Sequence, residues 1–219
     1  MKYPRVISRL SIIEPYIKGK DVLDIGCVDS RPGDVRKFES TGLHKFIKLH
    51  AGSLQGVDID GVGAREMTQK GYNVVEGNAE NMNLGKVYDT IVAGEIIEHL
   101  NNAGLFLETM RKHLKDGGTL IITAPNAFSI SNFSRIIRKN SIKVHPDHTC
   151  WYDPLTIHQL VSRYDDLDIE SIYFTNKAKW YNNKYFYKVF RYQLPKLISW
   201  CRPYFSGTII AIIKKNSKN

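Results

Sequence analysis

Short apolar runs recur along the first half of the chain, and each of them ends in Asp, Asn or Glu. These runs occupy residues 22–27, 56–60, 75–80 and 88–95. In a parallel sheet all strand carboxyl ends lie on one edge, where ligands bind at the switch in strand order. The pattern therefore predicts that several polar strand ends meet in one crevice. Such a crevice is typical of an enzyme that binds a nucleoside-type cofactor.

Helical and extended patterns alternate along the chain. Helices are predicted over 5–18, 43–51, 61–70 and 101–114, and strands over 21–26, 54–58, 73–77, 88–93, 119–123, 168–174 and 208–213. Residues 28–42 are rich in Asp, Ser, Arg, Pro and Gly, which predicts a loop or lid. This alternation predicts an α/β fold with a parallel sheet between helices, and 219 residues fit one such domain. The chain would open with a lead-in helix within residues 1–18.

Charge and composition limit the kinds of partner and the cellular compartment that the sequence predicts. The formal net charge is +9 and the pI is near 9.4, which favours anionic partners such as nucleic acid, phosphorylated sugars or an acidic membrane face. No apolar run approaches the roughly 20 residues that cross a bilayer, so no transmembrane segment is expected. The N-terminus lacks the apolar core of a signal peptide. Three widely spaced cysteines argue against a disulfide framework, so a cytoplasmic protein is predicted.

Five motifs in this pattern resemble those of the class I S-adenosylmethionine-dependent methyltransferases. They are Asp24-Ile25-Gly26-Cys27, Gly56-Val57-Asp58, Asn78-Ala79-Glu80, Glu95-Ile96-Ile97-Glu98-His99-Leu100 and Leu114-Lys115-Asp116-Gly117-Gly118. They keep the family's order over roughly residues 20–126. The resemblance implies a Rossmann-like three-layer sandwich with a mostly parallel seven-stranded sheet and an antiparallel last strand. It also implies a single methyltransferase domain over residues 1–219, with 177–205 as an insertion between the last two strands.

The same resemblance implies that S-adenosylmethionine binds at the strand ends. Asp24 and Gly26 lie at a turn where backbone N–H groups would attract the carboxylate of the methionine tail. Asp58 is placed to accept both ribose hydroxyls, and Ile59 to pack on the adenine. The implied cofactor-binding residues are Asp24, Ile25, Gly26, Cys27, Asp58, Ile59, Asn78, Ala79, Glu80, Gly94 and Glu95.

Two features depart from the family pattern. Val28 replaces the usual second loop glycine, and the distance in sequence from Asp24 to Asp58 exceeds the roughly 20 residues of a minimal dinucleotide unit. We interpret the excess as the 28–42 loop folding over the tail or the substrate. One alternative is that Asp24 and Asp58 only cap helices. Another is a dinucleotide-binding dehydrogenase, which the missing G-x-G-x-x-G disfavours.

The chemistry expected at this site is methyl transfer to oxygen, which requires removal of the acceptor's proton by a base or with help from a metal. The predicted catalytic residues are Glu95, His99 and His148. A helix beginning at Glu95 would place Glu95, Glu98 and His99 on one face, where a divalent ion such as Mg, Mn or Zn could bind. The predicted metal ligands are Glu95, Glu98, His99 and His148.

This E-x-x-E-H pattern resembles the ubiquinone-biosynthesis O-methyltransferases and the small-RNA ribose 2′-O-methyltransferases. In those groups a later His completes the metal site, and residues 145–151 resemble the segment that supplies it, with His148 better aligned than His145. An ion pair without a metal, or histidines that serve as acid–base or substrate contacts, are the alternatives. His44, His50, His113 and His158 are expected on helix surfaces, and Cys27 as a small loop residue.

Residues 177–205 interleave cations with aromatic side chains and hold seven Lys or Arg but no Asp or Glu. They could form an amphipathic cover on the sheet, an element at an anionic membrane face, or a nucleic-acid surface. The predicted function is O-methylation of a small molecule or of a glycan or lipid-linked precursor. RNA ribose 2′-O-methylation and a catalytically inactive cofactor-binding module are the alternatives. Peripheral attachment at the inner membrane face is a further expectation.

Overall fold

The structure, a computed structural model, describes residues 4–6, 8–28, 42–142, 144–175 and 202–217. Its strands are β1 (Arg5–Val6), β2 (Asp21–Ile25), β3 (Ser53–Asp58), β4 (Val74–Glu76), β5 (Tyr88–Gly94), β6 (Leu114–Pro125), β7 (Leu167–Thr175) and β8 (Thr208–Lys215). Its α-helices are α1 (Arg9–Ile17), α2 (Leu43–His50), α3 (Gly61–Gln69), α4 (Ala103–His113), α5 (Ile130–Lys139) and α6 (Pro154–Val161). The predicted 28–42 loop, apart from its two ends, and residues 177–201 of the basic aromatic segment lie outside the described residues.

All strands in the described part of the chain belong to one sheet, in the order β1-β7-β8-β6-β5-β2-β3-β4. Strand β8 is antiparallel to both of its neighbours, β6 and β7, whereas the other pairs are parallel. This arrangement confirms the predicted mostly parallel sheet with an antiparallel last strand. The seven predicted strands are present, and β1 extends the sheet by one short strand at its edge.

The lead-in segment differs from its prediction, because its first residues are extended. Strand β1 pairs in parallel with β7, and the Phe174 N–H donates to the Pro4 carbonyl over 2.9 Å. The helix begins only after Ser8, whose hydroxyl accepts the Leu10 N–H over 3.2 Å as an N-terminal cap. The prediction of a helix from residue 5 is therefore wrong for its first turn.

Alternating side chains of the central strands divide the core between the two faces of the sheet. Val22, Val92 and Ile121 pack with α1 and α2 on one face. Leu23, Ile91 and Ile122 pack with α4 and α6 on the other. This period of two is what a sheet buried on both sides requires, and it produces the three-layer sandwich. Among the described residues, no helix is both long and apolar enough to cross a membrane.

A buried asparagine joins the carboxyl end of β6 to the chain that leads into β8. The Asn126 side chain is 1% exposed, and its Nδ2 donates to the carbonyls of Tyr204 and Ser206 over 2.7 and 2.8 Å. Its Oδ1 accepts the Phe128 N–H over 3.1 Å. Because the backbone groups it satisfies lie in a loop rather than in the sheet, no strand pairing could replace these bonds.

We expect Asn126→Ala to lower the free energy of unfolding by about 2–3 kcal/mol, because it removes three hydrogen bonds at a buried position. Urea denaturation followed by circular dichroism measures the change. The matched control is Asn101→Ala, since the Asn101 side chain is exposed. The control should change the free energy by less than about 0.5 kcal/mol. Equal effects of the two substitutions would contradict the role given to Asn126.

Candidate functional site

The predicted acidic strand ends do meet at one edge of the sheet. Strand β2 pairs with β3 on one side and with β5 on the other, and Ile25 aligns with both Val57 and Ala93. The chain leaves β2 toward β3 and later returns at β5 on the opposite side. The loops after β2 and β5 therefore diverge and leave a crevice between them. Residues 26–28, the end of β3 and the turn after β5 border this crevice.

The turn after β2 is built on Gly26, which has a φ of 72°. Its N–H donates to the Val57 carbonyl over 2.8 Å, and a Cβ at this position would lie 3.1 Å from the Ile96 side chain. Both the backbone angle and the close approach favour glycine. Val28, which replaces the usual second glycine, is buried, and its N–H donates to Asp58 Oδ2 over 2.8 Å. The first loop is thus fastened to the tip of β3 by a backbone hydrogen bond.

Asp24 is buried, and its Oδ2 lies 2.8 Å from His44 Nδ1 on α2. Burial raises the pKa of the Asp24 carboxyl, and the hydrogen bond and charge of His44 oppose that rise. The expectation that His44 lies on a helix surface is wrong, and so is the same expectation for His113, which is buried on α4. His44 precedes the buried Ile47 by three positions, so the helical period already placed both on the inner face.

Asp58 closes β3 and uses both carboxylate oxygens. Oδ1 accepts the Asp60 N–H over 2.9 Å, while Oδ2 accepts the N–H of Val28. Burial raises the pKa of Asp58, the two backbone hydrogen bonds lower it, and the nearby Asp60 and Asp24 raise it. Directly beside this carboxylate, Ile59 is 71% exposed. An acidic group and an exposed apolar side chain are therefore adjacent at the tip of β3.

The other predicted cofactor residues differ in their burial and in their hydrogen-bond partners. Ile25 and Ala79 are buried in the core, and a Cβ on Gly94 would lie 2.6 Å from Leu43 on α2. Asn78 Oδ1 accepts the Glu80 N–H over 2.9 Å. The Glu80 carboxylate instead faces the start of α4, where it accepts the N–H groups of residues 101 and 102. Glu80 thus anchors the start of α4.

A cavity of about 460 Å³ lies beside α4 and is lined by residues 80–83 and 85–87 and by five residues of that helix. Apart from Glu80, none of the predicted cofactor residues lines it. It is therefore a feature separate from the strand-end crevice.

Cys27 is buried close to Asp24 and Asp58. Burial raises the pKa of its thiol, and the charges of Asp24 and Asp58 raise it further. A thiol that stays protonated is a poor nucleophile. The surroundings of Cys27 agree with its interpretation as a small loop residue.

Glu95 follows β5 with a φ of 56°, and its N–H donates to the Thr123 carbonyl over 2.8 Å. Its Oε1 lies 3.7 Å from Nη1 of Arg9, a residue that the sequence patterns did not single out. No helix begins at Glu95, because a short 3-10 turn covers only Ile97–His99. The predicted common face of Glu95, Glu98 and His99 is therefore wrong. Glu98 points inward and is 1% exposed.

Three imidazoles gather beside the 3-10 turn. The ring centres of His99 and His148 are 4.6 Å apart, and that of His145 is 5.7 and 5.5 Å from them. One ring nitrogen from each of the three lies within 4.8 Å of the others. Glu98 Oε1 is 4.0 Å from His148 Nε2. Burial lowers the pKa of His99, and the neighbouring His145 lowers it further, so this imidazole favours the neutral form.

Thr149 holds the segment that carries His145 and His148 against the 3-10 turn. Its N–H donates to the Glu98 carbonyl over 2.8 Å, and its hydroxyl donates to the Leu100 carbonyl over 2.7 Å. Both contacts involve backbone carbonyls, so they fix the segment independently of the side chains of the turn. The sequence predicted that His148 lies near His99, and the structure places His145 there as well.

A family model described as a methyltransferase domain matches residues 2–165, well over half of the chain. The chain belongs to this methyltransferase family. The resemblance of the five motifs to class I S-adenosylmethionine-dependent methyltransferases is thereby confirmed, and S-adenosylmethionine is the cofactor of the family.

Individual relatives agree with this assignment. The ubiquinone biosynthesis O-methyltransferase of Rickettsia akari (strain Hartford) is 26% identical over 163 residues, which cover 71% of this chain. The chain spans 61% of the length of that relative. A SAM-dependent methyltransferase from Archaeoglobus fulgidus superposes with a TM-score of 0.61 at 23% identity, covering 95% of this chain and 91% of the other. The N-methyltransferase NodS from Bradyrhizobium japonicum WM9, in complex with S-adenosyl-L-homocysteine, gives 0.51 at 13% identity, covering 95% and 83%. Both structures share the fold.

We expect His44→Leu to destabilise this methyltransferase by about 3 kcal/mol near neutral pH, because Asp24 would stay buried without its partner. The pKa of Asp24 is already raised by burial and would rise further in the variant. A carboxyl with a raised folded-state pKa contributes stability at low pH that is lost as the pH rises through that pKa. The deficit should therefore be smaller at about pH 5 than at about pH 7.5.

Urea unfolding at the two pH values measures this deficit. His158→Leu, at a half-buried position on α6, is the matched control and should show little dependence on pH. A deficit for His44→Leu that is the same at both pH values would mean that Asp24 stays ionised without His44.

Proposed function

We propose that this methyltransferase transfers a methyl group from S-adenosylmethionine to a hydroxyl oxygen of a small molecule or of a glycan or lipid-linked precursor. One observation carries the proposal. A cluster of imidazoles follows directly on the strand end that borders the cofactor crevice, with one imidazole kept neutral by burial. A neutral imidazole beside the methyl donor is the group that an acceptor hydroxyl needs and that an amine acceptor needs less.

The crevice residues fit the cofactor. The left-handed turn at Gly26 brings the backbone close to whatever occupies the crevice, and the carboxylate of Asp58 has lone pairs left for ribose hydroxyls. The exposed Ile59 offers an apolar surface to an adenine ring. We assign cofactor contacts to Gly26, Asp58, Ile59 and the backbone of residues 78 and 79. Glu80 is left out because it anchors α4, and Asp24 supports the turn from below through His44.

The methionine end of the cofactor would lie near the turn after β5. Glu95 borders this end, and Arg9 of α1 lies 3.7 Å from its carboxylate. A guanidinium here can bind the carboxylate of the methionine tail, while Glu95 can accept from its ammonium group. These two side chains would then hold the zwitterion by opposite charges.

When bound, S-adenosylmethionine supplies a methyl group on a sulfonium leaving group, so the protein needs no covalent intermediate. The chain's own contribution is position and proton removal. His99 would accept the acceptor's proton on a ring nitrogen, since its lowered pKa keeps the imidazole neutral at physiological pH. His148 would orient the acceptor, and the Glu98 carboxylate, 4.0 Å from His148, would stabilise the positive charge that develops on the cluster.

A metal-assisted form of the same reaction is the second mechanism that the cluster supports. Imidazole nitrogens favour ions such as Zn, and three of them converge here with Glu98 beside His148. The ligand atoms are up to 4.8 Å apart, so binding would require them to move closer together. The predicted ligand set changes accordingly: His145 takes the place of Glu95, which lies beside Arg9. Such an ion would lower the pKa of the acceptor hydroxyl.

Two observations bear on the choice of acceptor. The printed name of the Rickettsia relative is that of an O-methyltransferase, which favours oxygen. RNA ribose methylation stays a second candidate because of the net charge of +9. Cytoplasmic localisation also stays a prediction, and the free thiols of Cys27 and Cys150 agree with a reducing compartment.

Asp58→Asn is expected to weaken S-adenosylmethionine binding by about tenfold or more, because a charged bidentate acceptor is lost. Isothermal titration calorimetry measures the affinity directly and needs no acceptor. Glu108→Gln makes the same change of group at an exposed position on α4 and should bind as the wild type does. Equal affinity of the two variants would remove Asp58 from the cofactor site.

His99→Gln is expected to reduce methyl transfer by about 100-fold while leaving the affinity for S-adenosylmethionine unchanged. The assay uses methyl-labelled cofactor with a panel of hydroxyl, amine, glycan-lipid and RNA acceptors. Wild-type activity should persist below about pH 6.5, because a base with a lowered pKa stays neutral there. Labelling of amines alone would contradict the proposed O-methylation.

A chelator distinguishes the two mechanisms in the same assay. Activity that survives chelation supports His99 as the base, whereas loss of activity that Zn or Mn restores supports the metal. The stability control for His99→Gln is His113→Gln, which replaces a buried histidine outside the cluster.

A further inference from the structure

Helix α5 presents its apolar side chains to solvent. Phe133, Ile136 and Ile137 are three and four positions apart, so they share one helix face, and they are 50%, 48% and 68% exposed. Phe128 before the helix and Ile142 after it are also exposed. These five side chains are called the α5 face below. None of the residues of α5 is buried.

This orientation is the reverse of that of an ordinary surface helix, which buries its apolar stripe. The half-buried positions of α5 are mainly polar and include Asn132 and Arg135. Asn132 Nδ2 donates to the Ala127 carbonyl over 3.0 Å. The Asn132 N–H donates over 3.3 Å to the hydroxyl of Ser129, which caps the start of the helix. The helix is thus fastened through polar contacts at its start. On its apolar side the Phe133 ring lies 6.2 Å from that of Phe205, measured between ring centres, while Ile136 and Ile137 face solvent. A contiguous exposed apolar patch of this kind marks an interaction site.

The charged side chains of the segment that carries the α5 face are all cationic. Residues 127–146 contain Arg135, Arg138, Lys139 and Lys143 but no Asp or Glu. Arg138 and Lys139 are exposed at the end of the helix. A helix with an apolar face and a basic polar side is the pattern that lies in the plane of an anionic bilayer surface. Long cationic side chains there reach the lipid headgroups while the apolar side chains enter the acyl boundary.

We propose that α5 docks on an anionic lipid surface, with the α5 face inserted at the headgroup boundary and Arg138 and Lys139 in contact with lipid phosphates. The inference goes beyond the proposed function and does not rest on it, since vesicle binding needs neither cofactor nor acceptor. The helix follows the carboxyl end of β6, which is parallel to β5, so a docked surface would lie toward the same end of the sheet as the imidazole cluster that follows β5.

Charge favours lipid over the other occupants of such a face. Residues 176–201 of this chain carry six Lys or Arg and no acid, so they offer no complementary charge to α5. A second copy would bring the same cations face to face. RNA would match the charge but not the isoleucines, because bases stack on aromatic rings. An anionic bilayer satisfies both the apolar and the cationic parts.

Co-sedimentation with vesicles tests the proposal on the full chain. The wild type should bind vesicles of phosphatidylglycerol and phosphatidylcholine and bind pure phosphatidylcholine much less, with affinity falling as salt rises. Phe133→Ser with Ile137→Ser should lower the partition coefficient by about tenfold or more. Arg138→Glu with Lys139→Glu should lower it by roughly fivefold for each cation removed.

The matched control is Leu49→Ser with Val62→Ser, which removes two exposed apolar side chains from α2 and α3. This control should bind as the wild type does. Absence of wild-type binding, or equal binding by the α5 and control variants, would overturn the proposal. So would a change from dimer to monomer in the Phe133→Ser, Ile137→Ser variant, because it would show that a second copy of the chain covers the α5 face.

Discussion

Strand β2 is hydrogen-bonded on both sides, to β3 and to β5, and the site depends on that double pairing. The register places Ile25 beside Val57 and Ala93, so the three strands end at the same level. A shift of two residues in one strand would move its end by about 7 Å, which is more than a nucleoside contact tolerates. Because both faces of β2 are buried, side chains such as Val22 and Leu23 would be displaced by a one-residue shift, and packing fixes the register.

The two halves of the site are held by separate parts of the fold. Helix α2 supports the crevice through the buried contact between His44 and Asp24, and the first loop is fastened to Asp58. The imidazole cluster is held by the 3-10 turn and by the segment around Thr149. A disturbance of one half need not reach the other. Binding of the methyl donor and proton removal from the acceptor can therefore be measured as separate properties of this chain.

Apolar runs predicted the strands well because a strand buried on both faces leaves no other place for consecutive Val, Ile and Leu. Helices α5 and α6 were not predicted. The apolar residues of α5 face solvent, and α6 has only eight residues and depends on an Asp153 capping box with a proline in its first turn. Helix α6 is therefore too short for the amphipathic period by which helices are recognised, whereas Phe133, Ile136 and Ile137 of α5 do have helical spacing, so α5 was predictable from the sequence.

The site was less predictable than the sheet. Glu95 adopts its left-handed conformation because its N–H is bonded to the distant Thr123, and no local pattern reveals such a contact. The approach of Arg9 to Glu95 likewise depends on how α1 packs on the sheet. His44 is different, since its spacing from Ile47 placed it on the inner face of α2. For His44, helical periodicity was the better guide than the usual exposure of histidine.

The two hydrogen bonds that Thr149 donates to backbone carbonyls, one from its N–H and one from its hydroxyl, have a consequence for how this chain can diversify. They attach the second half of the imidazole cluster to the first without using any residue between Leu100 and Thr149. Residues 127–144, which contain α5, therefore lie between two fixed points, Asn126 and the segment from His145 to Thr149. Such a stretch can lengthen, shorten or exchange its surface chemistry while the histidines keep their spacing. Related chains can in this way acquire a different docking surface or a different acceptor while the cofactor site and the imidazole cluster stay unchanged.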